Sequence, residues 1–344
     1  FIMAIIDDPS AVYQTVLWDG NNTNRTITFG GNADLQANLI WAKKRDSGDH
    51  NQLYDSVRGF GAAKDICSGQ VFPQGAAANG STALGFISST TSDGFVLTNG
   101  NHGSVPYLLL NKTGNEFVAR GFKETAGVFD IVTYEGSGSA QTVAHNLGVK
   151  PTCIWVKNID SSDPPFNWRC FHASIGATKS LKPNGTDAAD TDAGYWNDTE
   201  PTSSVFSVKD SGETNNGSQT YIAYLWADSS MSKCGTYEGN GNADGTFVHL
   251  PFRPAFLMTK SVDSTSSWHM YDNKRQGFNK DNDSLVAEST TVEATTDMVD
   301  LLSNGFKCRI ATDPNVAETY IYIALAEHPF VTSTDNGSIP GVAR

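Results

Sequence analysis

The sequence is short of positive charge, of long apolar runs, of paired cysteines and of sustained helical periodicity, and each shortage excludes something. Its 24 Lys and Arg face 37 Asp and Glu, a formal net charge of −13 with an isoelectric point near 4.9. Nucleic acids and anionic membranes are bound through basic patches that displace counterions, so neither is expected as a partner. The longest clean apolar stretch, Tyr320 to Ala326, falls far below the roughly 20 residues that a membrane-spanning helix needs. Phe1 to Ile6, followed by Asp7 and Asp8, has neither the basic region nor the apolar length of a secretory signal, and none is expected. Cys67, Cys153, Cys170, Cys234 and Cys308 form an odd set without a CxxC pair, a poor pattern for disulfides or zinc. Apolar residues at 39% and aromatics at 10% still suffice for packed cores. A folded, neutral-polar chain is expected.

Catalytic signatures are equally sparse. There is no GxSxG elbow, no HExxH, no GxxxxGK[ST] and no GxGxxG following a strand, and the seven histidines are scattered singly. Asp187, Asp190, Asp192 and Asp198 share one loop and Asp281 and Asp283 another, but Gly194 and Pro201 fall where an EF-hand requires oxygen ligands, which leaves at most a loose surface ion site. No catalytic, cofactor-binding or metal-ligating residue is assigned, and the expectation is a protein that is not an enzyme and needs no cofactor.

What the chain does have is repetition. Ala37-Asn-Leu-Ile-Trp-Ala-Lys43 with Asp46 returns as Pro151-Thr-Cys-Ile-Trp-Val-Lys157 with Asp160, and as Pro254-Ala-Phe-Leu-Met-Thr-Lys260 with Asp263; the lysines lie 114 and 103 residues apart. Upstream, Trp18-Asp-Gly matches Tyr134-Glu-Gly and Tyr237-Glu-Gly. Downstream, Tyr54-Asp55 matches Phe171-His172 and Tyr271-Asp272, then Ile66 matches Leu181 and Leu285. Asp93-Gly-Phe95, Ser204-Val-Phe206 and Asn304-Gly-Phe306 align next, and Phe117-Val-Ala119, Tyr221-Ile-Ala223 and Tyr320-Ile-Tyr322 close each copy. The segments are short, alternating and rich in β-branched and aromatic residues, and Gly/Asn clusters such as Asn215 to Ser218 and Gly239 to Gly245 separate them. The pattern predicts an all-β chain of three tandem β-sandwich repeats over 1–124, 125–229 and 230–344, with joints at Lys123 to Gly127 and Ser229 to Lys233. The first copy is the most divergent, and its Gly69 to Gly94 reads as an extended loop.

Repetition also ranks the candidate residues, because a fold repeats whereas a site is grafted on locally. Cys153 stands where Leu39 and Phe256 stand, Cys170 where Leu53 and Met270 do, and Cys308 where Leu97 and Val208 do, so buried, inert thiols are expected. Lys43, Lys157 and Lys260 each end a strand, which predicts stems on apolar surface and ammonium groups paired with Asp46, Asp160 and Asp263. His145 and His249, at nearly matched positions, read as turn caps. Trp168 and Trp268 match each other and read as core; Trp196 has no counterpart and stands as the exposed aromatic on which a sugar could stack.

His145-Asn-Leu-Gly-Val-Lys-Pro151, Ile154-Trp-Val-Lys-Asn158, Thr178-Lys-Ser-Leu181, Trp196-Asn-Asp-Thr199 and Tyr221-Ile-Ala-Tyr-Leu-Trp226 resemble the repeated modules of structural proteins from tailed, especially marine, bacteriophages. Asp8 to Tyr13 and Tyr320 to Phe330 resemble the ends of such proteins, so the likeness covers nearly the whole chain. The resemblance implies a lectin-like, jelly-roll sandwich without catalysis and carries no functional residues across. The expectation is a virion component on the outside of the particle, a tail fibre or capsid-surface decoration, whose partners are copies of itself, other virion proteins and a host-surface glycan. The alternatives are a carbohydrate-binding lectin and a polysaccharide depolymerase.

Overall fold

The central strand of each large sheet is buried on both of its faces, and the fold follows from that. The computed structural model describes residues 8–71, 81–160, 165–275, 283–329, 331–334 and 337–340. Leu39–Lys44, Cys153–Asn158 and Phe252–Ser261 are strands buried along their whole length. Successive side chains in a strand point to opposite faces, so a fully buried strand must be covered twice. Ile40 and Ala42 join Trp18, Ile27, Phe95 and Phe117 in one cluster, and Ile154 and Val156 join Phe171, Trp196, Phe206 and Tyr221 in a second. Leu39, Trp41, Cys153 and Trp155 point the other way, into a larger cluster that also holds Phe256, Trp268 and Leu325.

The chain is all-β, with 42% strand and 5% helix, arranged as several antiparallel sheets in a sandwich-like fashion. Tyr13–Asp19, Glu116–Phe122, Leu39–Lys44, Gln52–Asp55 and Ile66–Cys67 form one five-stranded sheet in that spatial order. Phe129–Glu135, Thr220–Trp226, Cys153–Asn158 and Arg169–His172 form a four-stranded sheet in the same order of first, last, second and third. Ser232–Glu238, Thr319–Pro329, Phe252–Ser261, His269–Asp272 and Leu285–Val286 form the other five-stranded sheet, again in that order. Smaller sheets cover their outer faces: Arg25–Thr28 with Gly94–Thr98 and Phe86–Thr91, Gln141–Ala144 with Val205–Val208, and Phe247–His249 with Gly305–Cys308 and Val299–Leu302.

The repeated Trp-Asp-Gly and Tyr-Glu-Gly phrases end the first strand of each large sheet at a close backbone approach. A Cβ on Gly20 would lie 1.9 Å from the Lys112 carbonyl oxygen, one on Gly136 2.1 Å from that of Asn216, and one on Gly239 1.9 Å from that of Val316. Only glycine fits there. The stretch expected as an extended loop holds the short helix Ser81–Leu84 and the strand Phe86–Thr91, which pairs with Gly94–Thr98; residues 72–80 lie outside the described residues.

Backbone hydrogen bonds run beside the expected joints. Lys123 donates its backbone N–H to the Val12 carbonyl at 2.8 Å, Ala227 to that of Val128 at 2.9 Å, and Ala326 to that of Met231 at 2.8 Å. Val12, Val128 and Met231 are all buried in the one large cluster. Faces of the three large sheets are buried against one another in this cluster.

Candidate functional site

The chemistry-bearing residues gather where the three large sheets meet. Asp55, His172 and Asp272 each end the third strand of a sheet and are buried. Asp272 accepts from Arg120 Nη2 at 2.9 Å and Arg275 Nε at 2.7 Å, while its other oxygen accepts the backbone N–H groups of Lys274 and Arg275. Burial pushes this carboxyl up, but the two guanidinium groups outweigh it and hold the group at about 2. Asp55 accepts from Tyr224 OH at 2.8 Å and Arg58 Nε at 2.5 Å. His172 accepts from the Ser174 N–H through Nδ1, which leaves Nε2–H to donate to the Tyr322 carbonyl at 3.3 Å. Burial lowers this imidazole to about 4, so it is neutral at ordinary pH.

A second set of matched contacts runs the same way round. Asn51 Nδ2 donates to the Val286 carbonyl at 2.9 Å, Trp168 Nε1 to that of Cys67 at 3.0 Å, and Trp268 Nε1 to that of Lys182 at 2.9 Å. In both sets a residue of the first sheet region meets the third, one of the second meets the first, and one of the third meets the second.

Lys43, Lys157 and Lys260 are buried, at 1%, 0% and 0% exposure, and their ammonium groups meet backbone carbonyls instead of the expected aspartates. Lys157 Nζ donates to Val71 O at 2.9 Å and Phe166 O at 2.8 Å, Lys43 Nζ to Lys44 O at 2.8 Å, and Lys260 Nζ to Ser261 O at 2.7 Å. Asp46, Asp160 and Asp263 do something else. They accept the backbone N–H groups of Glu116, Thr220 and Thr319, the first residues of the closing strands, at 3.1, 2.6 and 2.8 Å. The lysine-to-aspartate spacing was misleading because the carboxylate is satisfied by a strand 56 to 70 residues later in the chain.

Burial, with no ion-pair partner among the described residues, lowers Lys157 to about 7, and Lys43 and Lys260 to about 8. The unfolded chain, with lysines near 10.4, binds protons that the folded chain has released, so folding stability rises as pH goes up from 7 toward 9. Lys157→Met is expected to reduce that slope by up to about 1.4 kcal/mol per pH unit, one proton's worth. Urea midpoints of parent and variant at pH 7, 8 and 9 measure it; an unchanged slope would mean that Lys157 keeps its charge in the folded chain. Buried thiols set the upper limit of the rise. Cys308 is pushed up to about 12 by burial, so above pH 9 the unfolded chain loses thiol protons that the folded chain retains, and stability falls.

Sequence reasoning missed a triplet of asparagines. Asn111, Asn215 and Asn315 are buried four or five residues ahead of the closing strands. Asn111 donates to Asn21 Oδ1 and Thr23 O, Asn215 to Ser139 O and Lys209 O, and Asn315 to Asn240 Oδ1, Asn242 O and Ile310 O. Each laces the turn after the Trp-Asp-Gly or Tyr-Glu-Gly phrase to the closing strand. Their recurrence at that spacing was the available signal.

The remaining candidates resolve one by one. All five cysteines are free and buried, and Cys153 Sγ lies 3.8 Å from Cys170 Sγ. Trp196, expected to be exposed, is 2% exposed and packs edge-on against Phe171 at 5.9 Å, because the Asp192-capped turn Ala193–Trp196 folds it inward. His145 Nδ1 accepts from the Leu147 N–H at 3.3 Å within a turn, whereas His249 is exposed at the end of a strand. Asp190 is held by Arg169 at 2.8 Å, Asp187 by Lys182 at 3.1 Å, and Asp192 caps its helical turn; Asp281 lies outside the described residues. Among the described residues no group of three or more His, Cys, Asp or Glu is placed to hold a metal ion, and no helix is long and apolar enough to cross a membrane.

One polar cavity of about 190 Å³ opens where the first and third sheets meet. Asp8, Ser10 and Gln14 line it from the start of the chain, Ala326 and Glu327 from the far end, and Lys274 from beside the Asp272 network. A family match, described as a domain of unknown function, DUF7483, runs from residue 8 to residue 329, across all three large sheets. The chain belongs to the DUF7483 family. No curated protein and no solved structure matches it. The DUF7483 match begins and ends at the two residues' neighbourhoods that line the cavity, so the family unit includes every contact described above.

Proposed function

We propose that this DUF7483 chain is a non-enzymatic structural protein of a phage virion, built from three tandem copies of a lectin-like, jelly-roll β-sandwich module over 1–124, 125–229 and 230–344. It stands on the outside of the particle as a tail fibre or capsid-surface decoration, in contact with other virion proteins and further copies of itself. One observation carries the non-enzymatic reading. The Asp55, His172 and Asp272 set and the asparagine triplet, which recur at matched positions, are engaged in holding sheet to sheet or turn to strand, and the buried lysines donate to backbone carbonyls. The module reading is supported by the shared strand order of the three large sheets and by the matched glycine, lysine and asparagine contacts. The virion reading is supported by the resemblance of the repeated phrases to phage structural modules.

Immunogold labelling of intact, purified particles tests it. Labelling at fixed positions on the exterior, with the chain present in stoichiometric amounts in the particle proteome, is the expected result; absence from purified particles would end this reading. Carbohydrate binding is a second reading favoured by the cavity, whose roughly 190 Å³ would admit one sugar ring and whose lining is polar. A glycan-array signal abolished by Lys274→Ala would move the function there.

A further inference from the structure

We propose that the three units close into a ring in space, so that this single chain is the equivalent of a cyclic trimer and its ends meet at a seam of the same kind as the two seams the chain itself crosses. The inference rests on the reading of the chain as three copies of one module. It goes beyond that reading, because three modules in tandem need not close.

Three independent sets of matched contacts carry it. The Arg120 and Tyr224 side chains, at matched positions, lead from the first unit to Asp272 of the third and from the second to Asp55 of the first; the third junction is made by the Tyr322 backbone carbonyl, one residue short of the matched position, which accepts from His172 of the second. Asn51 to Val286, Trp168 to Cys67 and Trp268 to Lys182 repeat the cycle in the same sense. A contact between two different faces that is repeated around a rotation either closes into a ring or runs on as a filament. Here it returns to its origin after three steps. Aromatic packing follows the same closure: Phe122 of the first unit lies 6.2 Å from Trp226 of the second and 6.4 Å from Phe256 of the third.

The third set locates the ends. The backbone bonds Lys123 to Val12, Ala227 to Val128 and Ala326 to Met231 are equivalent. After the first two, the chain walks directly into the next unit, whose opening strand begins at Phe129 or Ser232. After the third, the next opening strand in space is Tyr13–Asp19, at the other end of the chain. Asp8 and Ser10 share the walls of one cavity with Ala326 and Glu327, which brings the two ends to the same place. The ring therefore has two covalent seams and one closed only by side chains and backbone contacts. Which unit comes first along the chain is then immaterial to the fold, and a partner meeting the body along its axis meets each matched surface three times.

Circular permutation of the full chain tests this. Arg344 is joined to Phe1, so the new connection runs by way of the paired strands Val331–Thr334 and Gly337–Pro340, and new ends are opened between Glu124 and Thr125 or between Ser229 and Ser230. Both permutants are expected to elute at the parent's size with the parent's circular dichroism, and to melt within about 5 °C of it. In parallel, a protease site inserted between Ser229 and Ser230 is cut after folding. If the cut chain stays assembled with its melting temperature kept but neither permutant folds, the ring does not close as described and the module reading survives. If the cut chain falls apart and unfolds, the boundary between modules is wrong, and both the reading and this inference fail.

Discussion

Replacing Asp272 by alanine is expected to cost about 3–5 kcal/mol of folding stability, because it strips the fully buried Arg120 guanidinium of its counter-charge and takes one of two carboxylate partners from the equally buried Arg275. Arg120 and Asp272 are each 0% exposed at their side chains, and Arg275 is 1% exposed. From Asp272 an alternating line of charge leads outward. Arg275 reaches Glu293 at 2.6 Å, Glu293 meets Arg45 at 2.7 Å, and Arg45 meets the more exposed Glu116 at 3.0 Å. The line crosses between the first and third sheets, so its inner end is the costly one. Among the described residues Arg120 Nε and Nη1 have no hydrogen-bond partner, and removing Asp272 leaves this cation with no acceptor among them. Adding Arg120→Met should therefore recover a large part of the loss, since an apolar side chain of similar reach against Phe256 removes the stranded charge. Chemical denaturation of the two variants checks both statements. A single-variant loss below about 1 kcal/mol would show that the network is hydrated and weak.

The same carboxyl gives a signature in acid. Its folded value of about 2 lies below the ordinary aspartate value near 3.9, so its contribution is whole above pH 4 and is lost as pH falls toward 2. His172 acts in the window above. It titrates at about 4 when folded and near 6.5 when unfolded, so stability declines as pH falls from 6.5 to 4. The Asp272→Ala variant should keep the decline between pH 6.5 and 4 and lack the steeper share of the one below it.

Much of the architecture was legible because strands write their environment with period two. Leu39, Ile40, Trp41 and Ala42 are apolar without interruption, which already says that both faces are covered. What covers the second face was not legible, because alternation reports burial and not the neighbour that provides it; here the neighbour is a sheet from another third of the chain. The aspartates after the lysines show the same limit. Their spacing suggested a local pair, and their partners are backbone N–H groups in the closing strands. Trp196 failed for a local reason: a single capped turn decides whether an aromatic faces water or Phe171, and no periodicity reports that. Cys153, Cys170 and Cys308 were legible as buried because their positions are apolar in the matched segments, and a thiol in such a place is buried whatever the partner.

Trp155→Ala is the sharper test of how the chain holds together, and it is expected to cost about 3–5 kcal/mol and to unfold all three thirds in one transition. The indole is 0% exposed and packs edge-on against Trp41 of the first sheet at 5.4 Å, Trp226 of the second at 6.0 Å, and Trp268 of the third region at 5.3 Å. Large-to-small changes cost the lost transfer energy and the cavity left behind, and this cavity would open between three parts of the chain at once. A chain of independent sandwiches would respond differently: the middle third would melt early and the other two would keep their midpoints. A shared core permits no such separation, because the residues that bury Trp41 and Trp268 are the ones disturbed. Calorimetry of parent and variant decides it. One endotherm shifted as a whole, with circular dichroism and tryptophan fluorescence moving together, is the expected outcome, and a variant showing two resolved endotherms would mean that the large apolar cluster is three cores in contact and not one.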